Sequence, residues 1–429
     1  MMTDSLKTDQ DIKEHRYRWL VLVVLTIVYT FNFIDRQILV ILQEPIKAEL
    51  SLSDAQLGLL TGFSFALIYV CAGIPIAWLA DRSNRRNIIA GSLALWSGMT
   101  ALSGMVGSYS QLVLARLGVG LGEAGGSPPA HSMISDYFPP EKRGTALSFY
   151  TAGIYLGILF GFAGGGYIAE TFGWRNAFFI VGIPGLFFAF IVLILVREPL
   201  RGRWDLGQTV KKSSLKTTMS TLKQRRSFWW IAFGCSMTSF VAYGNGNFYP
   251  SYLMRSHGFS VAEVGFALGL VSGVAGAIGT FMGGFLADRW GRNDKRWYVW
   301  IPIIGNCLAV IPMAYAILSD DATLLLLVLF PANILNSLYL GPSIAMCQSL
   351  VSPAMRAMTS AVLFFILNMI GLGLGPVIVG LLSDSFVGIF GDNNLRYAMM
   401  CALLMGLSGT ACFVMAARHL LPDLQKQSG

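Results

Sequence analysis

The chain has 429 residues, of which 54% are hydrophobic and 13% charged, with a formal net charge of +8. A soluble domain is about a quarter charged, so a water-soluble globular chain of this size is excluded, as are a disordered chain and a secreted disulfide scaffold. The basic surplus does not argue for nucleic acid, because Lys and Arg lie in short segments between apolar runs, which is a topology pattern and not a binding patch.

A helix needs about 20 apolar residues to cross a bilayer. Twelve apolar runs follow one another, at 17–42, 54–80, 87–107, 110–137, 143–169, 175–197, 227–254, 261–287, 297–318, 322–350, 355–383 and 396–418. They predict an all-α polytopic membrane protein with twelve transmembrane helices. Residues 1–16 are polar, and the first run is too long for the apolar core of a signal peptide, so it is expected to stay as a span. One long hydrophilic connector, 198–226, carries Arg201, Arg203, Lys211, Lys212, Lys216, Lys223, Arg225 and Arg226. It divides the chain into a six-helix bundle at 1–197 and another at 227–429. Nearly all the Lys and Arg residues, Lys7 and Lys13 among them, fall on one side of the predicted membrane, and only Lys47, Arg175, Arg255 and Arg396 on the other. The positive-inside rule then places both termini in the cytoplasm, and the membrane is expected to be the inner, cytoplasmic one. The six cysteines (71, 235, 307, 347, 401 and 412) lie inside apolar runs without metal spacing and read as small buried hydrophobes.

The two halves repeat. Leu79-Ala80-Asp81-Arg82 closes the second run and Leu286-Ala287-Asp288-Arg289 the eighth. Pro140-x-x-Arg143 and Pro353-x-x-Arg356 open the fifth and eleventh, and Trp174-Arg175-Asn176-Ala177 and Leu395-Arg396-Tyr397-Ala398 the sixth and twelfth. Matches in the same order at nearly constant spacing indicate a duplicated six-span unit in parallel orientation, which is a transporter architecture.

On these motifs the chain resembles the major facilitator superfamily over essentially its whole length. Gly284-Phe-Leu-Ala-Asp288-Arg289-Trp-Gly291-Arg292 carries the family's loop motif, and the first half keeps Asp81-Arg82 with Arg85 and Arg86 but has Ala77 and Asn84 where glycines are usual. Arg116-x-x-x-Gly120 is similar to its fourth-span basic motif, whereas Gly157-x-x-x-Gly161 is followed by Phe162 in place of the antiporter motif's proline. Asn32-Phe33-Ile34-Asp35-Arg36 suits two groups, the Spinster-like carriers of sphingolipids and lysophospholipids and the anion:cation symporters. Gly120-Leu121-Gly122-Glu123-Ala124 followed by Ser135-Asp136-Tyr137-Phe138 looks more Spinster-like, of bacterial type.

Only four charged side chains lie deep inside the runs: Asp35, Arg36, Arg116 and Glu123, all in the first half. A charge at a helix centre costs about 2.5–3.5 kcal/mol, so these four are expected to face a watery cavity or one another. Asn32, Asp35 and Arg36 share one face of the first helix, and Arg116, Gly120, Glu123 and Ser127 one face of the fourth. At 1.5 Å per residue, Asp35 can pair with Arg116, and Arg36 can reach Glu123. Arg36 is the candidate anion ligand, because a guanidinium matches phosphate or carboxylate in a fork. Glu123 is the candidate proton carrier, with Asp35 and Arg116 as coupling partners or a structural tie between the two helices.

The second half offers neutral polar groups, Asn245, Asn333, Asn336 and Asn368. The glycines beside Asn245 predict a broken or bent helix there. The resemblance implies that spans 1, 4, 7 and 10 line the cavity, which favours Asn245, Asn333 and Asn336 as substrate contacts with Asn32, Tyr69 and Ser127. Phe31, Phe65, Tyr69, Tyr150 and Tyr155 are candidates for a tail pocket or for ordinary core. Gly153, Gly157, Gly161 and Gly165, and likewise Gly265, Gly269 and Gly273, form ridges that the resemblance places between the two halves. Asp81, Arg82, Asp288 and Arg289 are expected to gate the cytoplasmic side, and His131 to be structural or a proton relay.

These features predict a proton-coupled carrier of an amphipathic anion, such as a sphingosine-1-phosphate-like lipid or a lysophospholipid, working by alternating access. The alternatives are a symporter of a small organic anion and a non-transporting receptor on the same fold. No nucleophile–base pair, metal-ligand set or phosphate loop stands in the runs, so no enzyme is expected, and no cofactor beyond the proton gradient. The expected partners are a small amphipathic anion and membrane lipid, with no nucleic acid and no requirement for more than a monomer.

Overall fold

In the computed structural model, residues 2–204 and 215–428 are described, with side chains from 14 to 204 and from 216 to 425; every regular element among them is a helix. Lys211 and Lys212, and the side chains of Lys7 and Lys13, lie outside what is described. The first half is α1 (Met2–Ile41), α2 (Gln43–Leu50), α3 (Asp54–Thr61), α4 (Phe63–Ala80), α5 (Arg85–Ser103), α6 (Tyr109–Glu123), α7 (Ser127–Tyr137), α8 (Pro140–Phe172) and α9 (Trp174–Leu195). Then come α10 (Leu215–Lys223), α11 (Arg226–His257), α12 (Val261–Leu268), a wide turn at Gly269–Val274, α13 (Ala275–Trp290), α14 (Trp297–Leu318), α15 (Ala322–Ser337) and α16 (Leu340–Ser349). The chain closes with α17 (Arg356–Leu367), a second wide turn at Asn368–Leu374, α18 (Gly375–Phe390) and α19 (Asn394–Ser428).

Eight stretches among the described residues are long and apolar enough to cross a membrane. The runs expected at 87–107, 110–137 and 227–254 are helical but not among the eight. Arg85, Arg86 and Asn87 dilute α5, the fourth run is split into helices of 15 and 11 residues, and serines, glycines and tryptophans lower the hydropathy of α11.

The breaks inside the expected spans repeat. The second run breaks at Gly62 and the eighth at Gly269, with the same spacing as Asp81 and Asp288. Both begin with a capping box, Ser53 with Gln56 and Ser260 with Glu263, which satisfies two orphan amides at the helix start. The fourth run breaks between Glu123 and Ser127, and the tenth between Ser337 and Leu340. The expected break beside Asn245 does not occur, and α11 runs through it as one helix. Gly244 serves packing instead: a Cβ there would stand 3.2 Å from the Gly375 carbonyl oxygen of α18.

Short turns make successive long helices antiparallel, which gives the bundle a basic end, where α4 meets α5 and α13 meets α14, and a far end, where α2 meets α3 and α11 meets α12. One apolar core fills the first half around Leu22, Phe65, Trp96 and Tyr150, and another fills the second around Phe228, Met346 and Phe413. A third, including Ile41, Leu57, Tyr252, Val264 and Leu403, unites residues from both halves. Ile194, Phe281 and Ile311 are among many large apolar side chains left exposed on the outer faces, as a lipid-facing surface requires. Cys71 and Cys307 are exposed there too, contrary to the expectation that all six cysteines are buried, because their helix faces point away from the bundle.

The glycine ridges divide. On α8, Gly153, Gly157, Gly161 and Gly165 all face α1 of the same half, against Thr26, Phe33, Ile34 and Ile38, and not the other half. It is Gly166, one residue on, that meets Val261 and Gly265 of α12. Gly265, Gly269 and Gly273 do face α8, against Phe162, Leu159 and Tyr155. A ridge at every fourth residue drifts little around a helix, so the choice of neighbour is a matter of about 100° of rotation, which spacing alone does not settle.

Candidate functional site

Glycines seat the deep charges. A Cβ on Gly122 would lie 2.7 Å from the Trp96 backbone nitrogen, and one on Gly120 would lie 3.1 Å from the Phe65 carbonyl oxygen. Their absence lets α6 press against α4 and α5. The helix then ends at Glu123, and Pro128 and Pro129, which lack an amide hydrogen, open α7. Glu123 is thereby fixed at a helix break in the interior, 1% exposed.

Arg36 of α1 donates from Nε to Glu123 Oε2 at 2.7 Å. Its guanidinium carbon lies 4.9, 4.7 and 5.0 Å from the ring centres of Phe33, Phe65 and Tyr69. Three aromatic faces hold the cation where water is sparse, each worth about 0.5–2 kcal/mol. Glu123 Oε1 has no hydrogen-bond partner, and neither has Oδ1 of the neighbouring Asn32. This ion pair is therefore incompletely satisfied, with acceptors left over on the carboxylate side.

The expected Asp35–Arg116 ion pair is absent. Arg116 Nη1 donates instead to the main-chain oxygen of Asp35 at 3.4 Å, and its guanidinium lies 5.3 Å from the Phe65 ring. Both Asp35 carboxylate oxygens lack a hydrogen-bond partner although the residue is 1% exposed, and Trp96 and Thr100 of α5 stand beside it. The i, i+1 geometry of α1 explains the difference: Asp35 and Arg36 point about 100° apart, so when Arg36 faces Glu123, Asp35 turns toward α5. A buried carboxylate without an ion pair is costly as an anion; the Trp96 and Thr100 side chains beside it, and Arg116, are the groups placed to offset that cost.

Beside Arg36 lies a cavity of about 270 Å³, lined by α1, α8, α11, the α12–α13 stretch and α15–α16. Phe33 and Gln37 of α1 and Tyr243 of α11 line it, and Tyr243 is within electrostatic reach of Arg36, so the two sites adjoin. Asn245, Asn333 and Asn336 line it as well. Asn245 donates to the Met399 carbonyl oxygen and Asn333 to that of Val271, each at 3.1 Å. Tyr155, bonded to Thr280 of α13, lines it too, while Phe65 and Tyr150 belong to the first-half core and Phe31 packs on Phe188.

Other expected site residues fall elsewhere. Tyr69 stacks on Phe65 beneath Arg36, 5.5 Å between ring centres. Ser127 opens α7 beside Tyr29 and Tyr150, and His131, exposed, meets Tyr150 edge-on at 5.3 Å. Asn368 begins the second wide turn and is not among the residues lining the cavity. At the basic end Arg82 is exposed over Trp78, and Asp288 accepts from Tyr298 at 2.7 Å, with Arg289 exposed. The Asp81 carbonyl oxygen accepts from Arg201.

Two polar clusters escape sequence reasoning. At the basic end, buried Arg85 holds Asp136, Glu198 and Ser132 together. At the far end, Arg255 of α11 binds Glu44 and Asp54 of the first half, Lys47 binds Asp54, and Asp384 of α18 accepts from the Asp54 and Ala55 amides at 3.0 and 2.9 Å. The available signal was the rarity of basic residues on that side: Lys47 and Arg255 are two of four.

The family profile for the Major Facilitator Superfamily matches residues 25–376. The chain is 34% identical to a protein of Mycolicibacterium smegmatis described as an MFS-type efflux pump, over 96% of each chain. It is 28% identical to a probable galactarate/D-glucarate transporter of Bacillus subtilis, over 74% of this chain and 75% of that one. The crystal structure of a bacterial homologue of the human lysosomal transporter Spinster, inward-facing and unoccupied, matches with a TM-score of 0.88 at 34% identity, covering 95% of this chain and 98% of that one.

Proposed function

This chain belongs to the major facilitator superfamily, and we propose that it is a proton-coupled secondary transporter of an amphipathic anion, working by alternating access. The observation that carries the reading is the ion pair of half-buried Arg36 with buried Glu123, set among three aromatic rings at the edge of the cavity. A phosphate or carboxylate arriving at Arg36 competes with Glu123 for the guanidinium. The released carboxylate, desolvated and short of donors, then takes a proton. Asp35 offers a second proton site and Arg116 a compensating charge. When the anion leaves, Arg36 reclaims Glu123 and the proton departs.

Twelve transmembrane helices in two bundles, 1–197 and 227–429, joined by a cytoplasmic connector at 198–226, would rock about the α8–α12 contact. The basic end is then cytoplasmic, in the inner membrane, and a monomer suffices. In this reading the far-end cluster closes the outer side, and the exposed Arg82, Asp288 and Arg289 lie on the inner side.

The apolar wall of the cavity, with Ile154, Ile158, Phe162 and Leu268, suits a lipid tail and supports a Spinster-like substrate. The amide wall, with Asn245, Asn333 and Asn336, and the likeness to a sugar-acid transporter support a second reading, symport of a small organic anion. Flux in proteoliposomes under an imposed pH gradient tests both, with labelled sphingosine-1-phosphate against labelled galactarate. Gradient-driven flux of the lipid, lost in Glu123→Gln, is the expected result. Flux of galactarate alone would select the second reading, and gradient-driven flux surviving in Glu123→Gln would remove Glu123 from the coupling step.

A further inference from the structure

Two carboxylates at the far end reach from one half of the chain to the other. On α18 of the second half, Asp384 accepts from the Asp54 and Ala55 amides at 3.0 and 2.9 Å, at the very start of α3 in the first half. On α8 of the first half, Glu170 accepts from the Ala262 amide at 2.8 Å, in the first turn of α12 in the second half. The surroundings match as well. Gly380 stands four residues before Asp384 and Gly166 four before Glu170, so glycine and acid share one helix face. A Cβ on Gly380 would overlap the Asp54 carbonyl oxygen, and one on Gly166 would lie 2.6 Å from that of Val261. Each glycine lets a helix start of the other half come close, and the acid one turn on caps it. The internal repeat relates the two arrangements. Ser53 and Ser260, which open α3 and α12, keep the spacing of the Leu-Ala-Asp-Arg motifs. Asp384 lies one residue further from Pro353 than Glu170 does from Pro140. The wide turn at Asn368–Leu374, whose bonds close over five residues instead of four, takes up the extra one.

Each helix start has two sets of partners. Its own capping box, Ser53 with Gln56 or Ser260 with Glu263, lies within one half and survives any movement between halves. The acid belongs to the other half and is lost when the halves part there. A carboxylate at a helix start is favoured by the helix dipole and by the orphan amides it satisfies. Leu57 of α3, Phe162 of α8, Val264 of α12 and Val379 of α18 belong to one apolar core, so neither contact can part widely while the other stays shut. We infer that the far end is closed by two reciprocal latches, Asp384 on α3 and Glu170 on α12, and that they release together. The inference rests on the rocking of the halves proposed above, and not on the substrate or the proton. Rocking leaves the deeper contact of Gly273 with Leu159 packed, while the caps, at the outermost turns, travel furthest.

The test is amide hydrogen exchange in the purified full chain in lipid nanodiscs, read by mass spectrometry on peptides spanning 53–58 and 260–266. Each acid is removed, and the helix start it does not touch is followed. Glu170→Ala should speed exchange at the start of α3, and Asp384→Ala at the start of α12, by about two- to fivefold each. Gln56→Ala and Glu263→Ala weaken only the capping boxes and should act on their own helix start alone. Gly58→Trp, or Gly380→Trp on the facing helix, wedges α3 from α18 and should speed exchange at the start of α12. If the wedge does so while either acid variant leaves the remote start unchanged, the latches are overturned and the rocking stands. If neither wedge nor Asp384→Ala moves the start of α12, the rocking falls and the latches with it. A remote effect of Gln56→Ala or Glu263→Ala as large as that of the acids would reduce the caps to local helix stability and overturn the inference.

Discussion

Asp54, in the first turn of α3, receives both terminal nitrogens of Arg255, at 2.8 and 2.7 Å, from a residue 201 positions further along the chain. Its carboxylate also takes Lys47 and the Ser383 hydroxyl, while its own amide is capped by Asp384. The bond crosses from the first half to the second at the far end, beside the contact of Gly58 with Pro376. Such a bond must break for that end to open. Arg255→Ala leaves Lys47 as the remaining cationic partner and should weaken closure by about 2 kcal/mol. The check is the distance between spin labels at the exposed positions Ser110 and Asp392, in a chain freed of its six cysteines. The variant should populate a longer distance, and an unchanged distribution would show that the cluster does not hold the closed state.

Gly265 packs on α8 so closely that a Cβ would overlap the Phe162 carbonyl oxygen and stand 3.1 Å from Gly166 Cα. Gly265→Ala should destabilise by about 1–3 kcal/mol through overpacking and slow transport. Gly164, two residues before Gly166 on α8, has nothing within 4 Å of the same built atom. Gly164→Ala should instead stabilise by about 0.5–1 kcal/mol, since alanine is the better helix former. Thermal unfolding of the two variants in one detergent gives the comparison, which turns on sign.

Asp35 carries two buried oxygens without hydrogen-bond partners. Asp35→Asn keeps the shape and removes a buried ionisable group that has no ion pair, and should not lower the unfolding temperature. Any part that Asp35 plays in coupling would then appear as lost gradient dependence in a fully folded protein. A large fall in thermal stability would place it among the structural charges.

Asp423, in the C-terminal stretch of α19, accepts from the Ser227 amide and hydroxyl, each at 2.9 Å, at the start of α11. It acts as a helix cap supplied by the chain's far terminus. Asp423→Ala should cost about 1–2 kcal/mol of stability and leave the binding of anions at Arg36 unchanged. Equal thermal stability in variant and parent would show that the cap carries no weight.

Much of the arrangement is legible in the order of residues. Apolar runs mark where helices lie, because a bilayer leaves few alternatives for a chain with so few charges. The recurrence of Leu-Ala-Asp-Arg discloses the duplication, and Ser53 and Ser260, opening capping boxes at the same spacing, were further evidence of it that hydropathy does not register. The reach of Arg36 to Glu123 followed from rise per residue. The pairing of Asp35 with Arg116 did not survive, since depth along a helix says nothing of the angle around it.

The sequence alone therefore determined a membrane-embedded helical chain with repeated motifs and with four charges deep inside the apolar runs of its first half, because hydrophobicity, repetition and spacing are local properties. The tertiary structure decided which charges meet. Arg36 and Glu123 are 87 residues apart and Asp54 and Arg255 are 201 apart, and each pairing depends on helix rotation fixed by glycine contacts such as Gly122 on Trp96 and Gly58 on Pro376. Those contacts are set by steric fit between distant segments, a property of pairs that no single segment encodes.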